Sequence, residues 1–124
     1  MSEFATAINC MDGRVQIPVI EWMREKYGVK YIDMITEAGP NKILSEKQDM
    51  SLIESIKRRV EISVNKHGSE LIAIVGHYDC AGNPVERERQ LQHILSSMNT
   101  VETWNFTTRI IGLWVDEHWK VSKI

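Results

Sequence analysis

Five apolar residues in succession, Leu71-Ile72-Ala73-Ile74-Val75, leave no polar side. A strand that meets water on one side alternates apolar and polar residues, so a run without alternation fits a strand buried on both faces, as in a parallel sheet covered by helices. Such a sheet needs amphipathic helices around it, and the chain supplies them. Val19, Ile20, Met23 and Tyr27 keep helical spacing after Pro18, which suits a first turn, and Gly28 provides the stop. Leu52, Ile53, Ile56, Val60 and Val64 do the same over about 49–66, with Gly68 beyond the end. Leu91, Ile94, Leu95 and Met98 give a third helical face, for which Asn83 is the expected cap and Pro84 the first turn.

The other strands follow from short β-rich runs between turn residues. Ala5 to Cys10 ends at Asp12-Gly13, and Lys30 to Ile35 runs into Glu37-Ala38-Gly39-Pro40, which reads as a loop. Thr107 to Val115 reads as a strand, Asp116-Glu117-His118 as a turn, and Trp119 to Ile124 as a returning edge strand. The order β-α-β-α-β-α-β-β predicts an α/β fold: one domain over 1–124, with a mostly parallel sheet in the order 2-1-3-4, an antiparallel edge strand 5 and flanking helices. A chain of 124 residues can bury one sufficient core without staples.

Charge and composition exclude several partners. A net charge of -2 argues against nucleic acid, for which a basic stripe is expected, and Lys57-Arg58-Arg59 reads as a solvated helix face. The opening MSEFATAINC lacks a basic and then apolar targeting pattern, and no later apolar run approaches the ~18 residues of a membrane span. The expectation is a cytoplasmic protein without a membrane partner. There a structural disulfide is disfavoured, so Cys10 and Cys80 read as thiols or metal ligands.

In an open α/β sheet the binding crevice lies at the carboxyl ends of the strands, where the strand order reverses. Cys10 ends the first strand, and His77 and Cys80 follow the third; if the order begins 2-1-3, these ends are neighbours. Two thiolates and an imidazole suit zinc, and three protein ligands leave a fourth position open, as in catalytic zinc sites. Against this, a lone cysteine at a strand end is more often a small core residue. The metal reading gains from Cys10-Met11-Asp12-Gly13-Arg14, because a carboxylate and an arginine at that spacing can form a charge-assisted pair beside the metal. His67 near a helix end, His93 on a polar helix face and His118 in a turn read as surface residues.

Cys10-x-Asp12-x-Arg14 together with His77-x-x-Cys80 resembles the paired signature of β-class carbonic anhydrases. Ser55-Ile56 before "LIAIVGH" and the closing "GLWVDEHWKV" extend the resemblance over nearly the whole chain. It implies that Cys10, His77 and Cys80 bind Zn2+, that Asp12 and Arg14 form the catalytic dyad, and that a zinc-bound hydroxide reversibly hydrates carbon dioxide to bicarbonate. In a closed state Asp12 would itself become the fourth ligand. Thr36-Glu37-Ala38-Gly39 stands where the family usually has arginine-asparagine-alanine-glycine, Gly13 where serine is common, and Ala81 where glycine commonly follows the second cysteine. Few residues precede the first strand, where most members carry a helical arm that embraces a neighbour. A homodimer or higher homo-oligomer with a more open pocket is the expectation. Two alternatives go with these departures: hydrolysis of carbon disulfide or carbonyl sulfide, and an inactive zinc-binding regulatory module.

Overall fold

A computed structural model describes residues 2–124. Strand β1 (Phe4–Cys10) leads through a 3-10 turn (Gly13–Val15) into helix α1 (Gln16–Tyr27), and Gly28 ends that helix in the left-handed conformation. Strand β2 (Tyr31–Glu37) is followed by two helices, α2 (Pro40–Glu46) and α3 (Met50–Asn65). Strand β3 (Leu71–His77), helix α4 (Arg87–Glu102), strand β4 (Arg109–Val115) and the short β5 (Val121–Lys123) complete the chain. The strands form one sheet in the order β2-β1-β3-β4-β5, parallel except for the β4–β5 pair.

The unbroken apolar run is explained by where its side chains go. Leu71, Ala73 and Val75 enter one core with Val19 and Met23 of α1, whereas Ile72 and Ile74 enter the other with Leu44, Ile56, Val60 and Ile94 of the remaining helices. Every residue of β3 is buried. The central position of β3, between β1 and β4, is therefore what the lack of alternation encodes.

Three local expectations differ from what is seen. The segment after Gly39 is a helix rather than a loop, because Pro40 occupies the first helical turn, where its missing N–H costs nothing. Helix α4 begins at Arg87 rather than near Asn83; the Glu86 side chain caps it through Arg89 N at 3.1 Å, and Asn83 is turned inward and fully buried. Arg59 is tied to Glu37, so the basic triplet on α3 also anchors the end of β2.

Candidate metal centre

The reversal of strand order lies between β1 and β3, and there the chain brings Cys10, His77 and Cys80 together. One ligand atom from each lies within 4.8 Å of the other two, and all three residues are buried. Among the described residues no other group of three or more His, Cys, Asp and Glu side chains converges in this way. The sulfurs of Cys10 and Cys80 are 3.9 Å apart. His77 is placed by the end of β3, and its Nδ1 lies 2.7 Å from the carbonyl oxygen of Tyr78, so Nδ1–H is the donor.

That bond leaves the lone pair on Nε2, which is buried and has no hydrogen-bond partner. A buried, unsatisfied acceptor costs about 1–3 kcal/mol unless something fills the site. Beside two thiol sulfurs, the missing partner has the chemistry of a soft-to-intermediate cation. The residues thus fit a metal ion, and the Tyr78 carbonyl supplies the orienting bond that metal-bound histidines characteristically make.

The two sulfurs behave as a coupled pair. The hydrogen bond from Cys80 stabilises the Cys10 thiolate and, against burial, pulls it down to about 4, with help from His77 and the backbone amides of Asp12 and Gly39. The same bond, reinforced by burial, pushes Cys80 up, against the pull of the Asn83 and Gly82 amides. One proton shared between neighbouring sulfurs produces both directions. For His77 burial disfavours the imidazolium, but Cys10 and the Tyr78 carbonyl outweigh it and the net direction is up.

Asp12 is not part of the ligand group. Its carboxylate caps the 3-10 turn through Arg14 N at 2.9 Å and is gripped by Arg14 Nε at 3.0 Å and Nη2 at 2.7 Å. The Arg14 hydrogen bonds hold the Asp12 carboxyl at about 2. Arg14 is in turn held from two further sides. Its Nη1 and Nη2 reach Asp79 Oδ2 at 3.3 Å and the Asp79 carbonyl at 3.1 Å, and its guanidinium lies 4.6 Å from the ring of Trp119. Gln16, at the start of α1, donates to the carbonyls of Cys10 and Asp12.

Asp79, Trp119 and Gln16 escaped the sequence reading. Asp79 is a spacer in His-x-x-Cys, and nothing in the linear pattern connects the β4–β5 turn to Arg14. Of the remaining histidines, His67 pairs with Asp33 at 2.7 Å and His118 lies in the β4–β5 turn, and neither belongs to the converging group. His93 departs from its surface reading: it is half-buried, and its Nδ1 is 2.9 Å from Asn83 Nδ2.

The β2–α2 loop and the loop bearing Cys80 meet through glycines. A Cβ at Gly39 would lie 2.7 Å from the Gly82 carbonyl carbon, and Gly82 is as crowded against Ala38. Ala81 is exposed, so the close approach is made one residue beyond the position where family members commonly have glycine. Beside Cys80 lies a cavity of about 630 Å³ with Tyr78, Val85, Arg87 and Trp114 in its wall; neither Cys10, His77 nor Asp12 lines it.

The fold has clear counterparts. A carbonic anhydrase from Streptococcus mutans superposes with a TM-score of 0.65 at 14% identity, covering 99% of this chain and 81% of the other. A carbonic anhydrase from Glaciozyma antarctica gives 0.59 at 16%, covering 98% and 81%. One of two tetrameric β-carbonic anhydrases from Sordaria macrospora gives 0.58 at 14%, covering 99% and 80%. No curated protein sequence matches the chain. The family model described as "putative carbonic anhydrase" matches residues 1–124, and the chain therefore belongs to that family.

Proposed function

We propose that the protein reversibly hydrates carbon dioxide to bicarbonate, with zinc held by Cys10, His77 and Cys80. The observation that carries this reading is the convergence of two sulfurs on a buried, unpartnered His77 Nε2. A zinc ion bound there supplies Lewis acidity, lowering the pKa of a water molecule from about 16 toward 7 so that it can attack carbon dioxide.

The chain's own residues orient and tune. Cys10 and Cys80 carry negative charge to the ion, and the backbone amides of Asp12, Gly39, Gly82 and Asn83 temper that charge. The Tyr78 carbonyl fixes the His77 ring and its tautomer. Asp12, ionised throughout the neutral range, accepts a hydrogen bond from the attacking water and so holds its lone pair toward the substrate. Arg14 keeps the Asp12 carboxylate from swinging onto the metal. Asp79 and Trp119 hold Arg14 in that position.

The same reading includes a homodimer or higher homo-oligomer and a cytoplasmic site of action. Met11, Ile17 and Tyr78 flank the site residues in the chain and are 64%, 64% and 49% exposed, as suits a surface that a second copy covers. The Sordaria macrospora β-carbonic anhydrases are tetrameric. No helix among the described residues is long and apolar enough to cross a membrane.

Stopped-flow hydration of carbon dioxide by zinc-loaded protein tests the activity. Turnover well above that of Cys10→Ser is expected, and equal rates would sink the proposal. Hydrogen sulfide release from carbonyl sulfide or carbon disulfide, with no carbon dioxide turnover, would move the substrate assignment.

A further inference from the structure

The inner side of the ligand-bearing loop is held by side-chain amides. Gln90 of α4, almost completely buried, donates from Nε2 to the main-chain carbonyls of His77 at 3.2 Å and Asn83 at 3.0 Å. Those carbonyls bracket the segment that carries His77 and Cys80. A carbonyl only accepts, so the Gln90 amide nitrogen must face both, and its Oε1 must face Asn41, whose Nδ2 donates at 2.9 Å.

Asn41 then presents Oδ1 to Asn83, whose Nδ2 donates at 3.1 Å. The same Asn83 nitrogen lies 2.9 Å from His93 Nδ1, so that ring nitrogen must be the acceptor and the imidazole must be neutral with its proton on Nε2. Reversing one amide would set oxygen against oxygen and force the next to reverse, until Gln90 turned Oε1 toward the two carbonyls. The arrangement is kept although it leaves Asn83 Oδ1 buried without a partner. Gly76 makes room for it: a Cβ there would lie 2.7 Å from Asn41 Nδ2 and 2.9 Å from Gln90 Oε1.

We propose that Gln90, Asn41 and Asn83 are positioning residues for the metal-ligand segment 77–83, with neutral His93 as the end of their row, so that protonating His93 loosens that segment. The inference rests on reading the segment as part of a metal site. The surroundings of His93 favour the neutral ring. Burial disfavours its charge, as do Arg89 on its own helix and Lys42 on α2, and Glu46 on α2 opposes them without reversing the direction. The row is therefore intact at neutral pH and opens only on acidification.

Two measurements test this. In the metal-free chain, ¹⁵N NMR of the His93 ring should show the Nε2–H tautomer at neutral pH, and Gln90→Met should raise its pKa toward that of free imidazole. In the zinc-loaded chain, Gln90→Met and the permanently charged His93→Lys should release zinc to a chelator about tenfold faster. His93→Gln, which keeps an oxygen acceptor, should retain slow release and lose part of its acceleration by acid. Exposed Gln92→Met on the same helix should match the parent.

A proton on Nδ1 at neutral pH, or a Gln90→Met chain with parental His93 titration and parental zinc release, would overturn the proposal. Should Gln90→Met fail to fold, His93→Lys decides, and unchanged release counts against the row. Failure of the metal reading would show separately, as no zinc bound by the parent chain, and the His93 titration would then still decide whether the row is coupled.

Discussion

Arg14 is the residue on which the proposed open form of the site turns. It is exposed, yet three groups from three parts of the chain grip it: Asp12 after β1, Asp79 after β3 and Trp119 from the β4–β5 turn. Its effect is visible in Asp12, whose folded-state value of about 2 lies below the ordinary 3.8. Because that value is depressed, the pair's contribution to stability is present above the ordinary carboxylate range and is lost as pH falls toward about 2. In Arg14→Ala the Asp12 carboxyl should return toward 3.8 and be free to reach the metal. Zinc should stay bound while carbon dioxide turnover falls about tenfold or more, most steeply near and below neutral pH. A pH–rate profile alongside metal analysis checks this; loss of zinc from a folded variant would contradict the role given to Arg14. Asp12 and Arg14 were legible because their types and spacing suggest a charged pair. Asp79 was not, because its role exists only after the β3 loop folds back onto the 3-10 turn.

At the scale of elements, the contact between the β2–α2 loop and the β3–α4 loop shapes the site. Gly39 has φ 66° and sits where a side chain would strike the backbone at Gly82. The backbone amides of both glycines also face the cysteine sulfurs. Gly39→Ala should therefore cost about 1–3 kcal/mol from backbone strain alone, and should weaken zinc binding because the Cys80-bearing loop at Gly82 is pushed out of place. Thermal denaturation and competitive zinc titration measure the two effects, and parental values in both for the Gly39→Ala chain would show that the loops can part without harm. The same contact explains why α2 was hidden. Its first residues, Pro40 and Asn41, look like loop punctuation, and only packing in three dimensions, of Asn41 against Gln90 and Ser97 and of Leu44 in the core beside Thr100, gives that short helix its place.

For the whole molecule, the proposed metal site and the sheet share one foundation, since β1 and β3 are both interior strands and both lead to the ligand candidates. Zinc binding should therefore stabilise the entire fold. At a free zinc concentration 100 times Kd the gain is about 2.7 kcal/mol, which raises Tm by roughly 10 °C in a chain of this size. Scanning calorimetry with and without a chelator reads this, and a Tm indifferent to zinc would mean that the bound ion does not couple to folding. The sequence by itself determined the layered fold, because side chains buried on both faces of β3 leave an unbroken apolar run and those of the helices keep their own period. It also determined the three ligand candidates and the Asp12–Arg14 pair, since cysteine, histidine and a close carboxylate–arginine spacing carry their chemistry in residue type. Only the tertiary structure decided that Asp79 and Trp119 hold Arg14, that Gly82 rather than residue 81 makes the close approach, and that Gln90, Asn41, Asn83 and His93 lie in one row. Each of these depends on groups far apart in the chain meeting at a few ångströms, and a hydrogen bond between distant residues leaves no period or spacing in a linear sequence.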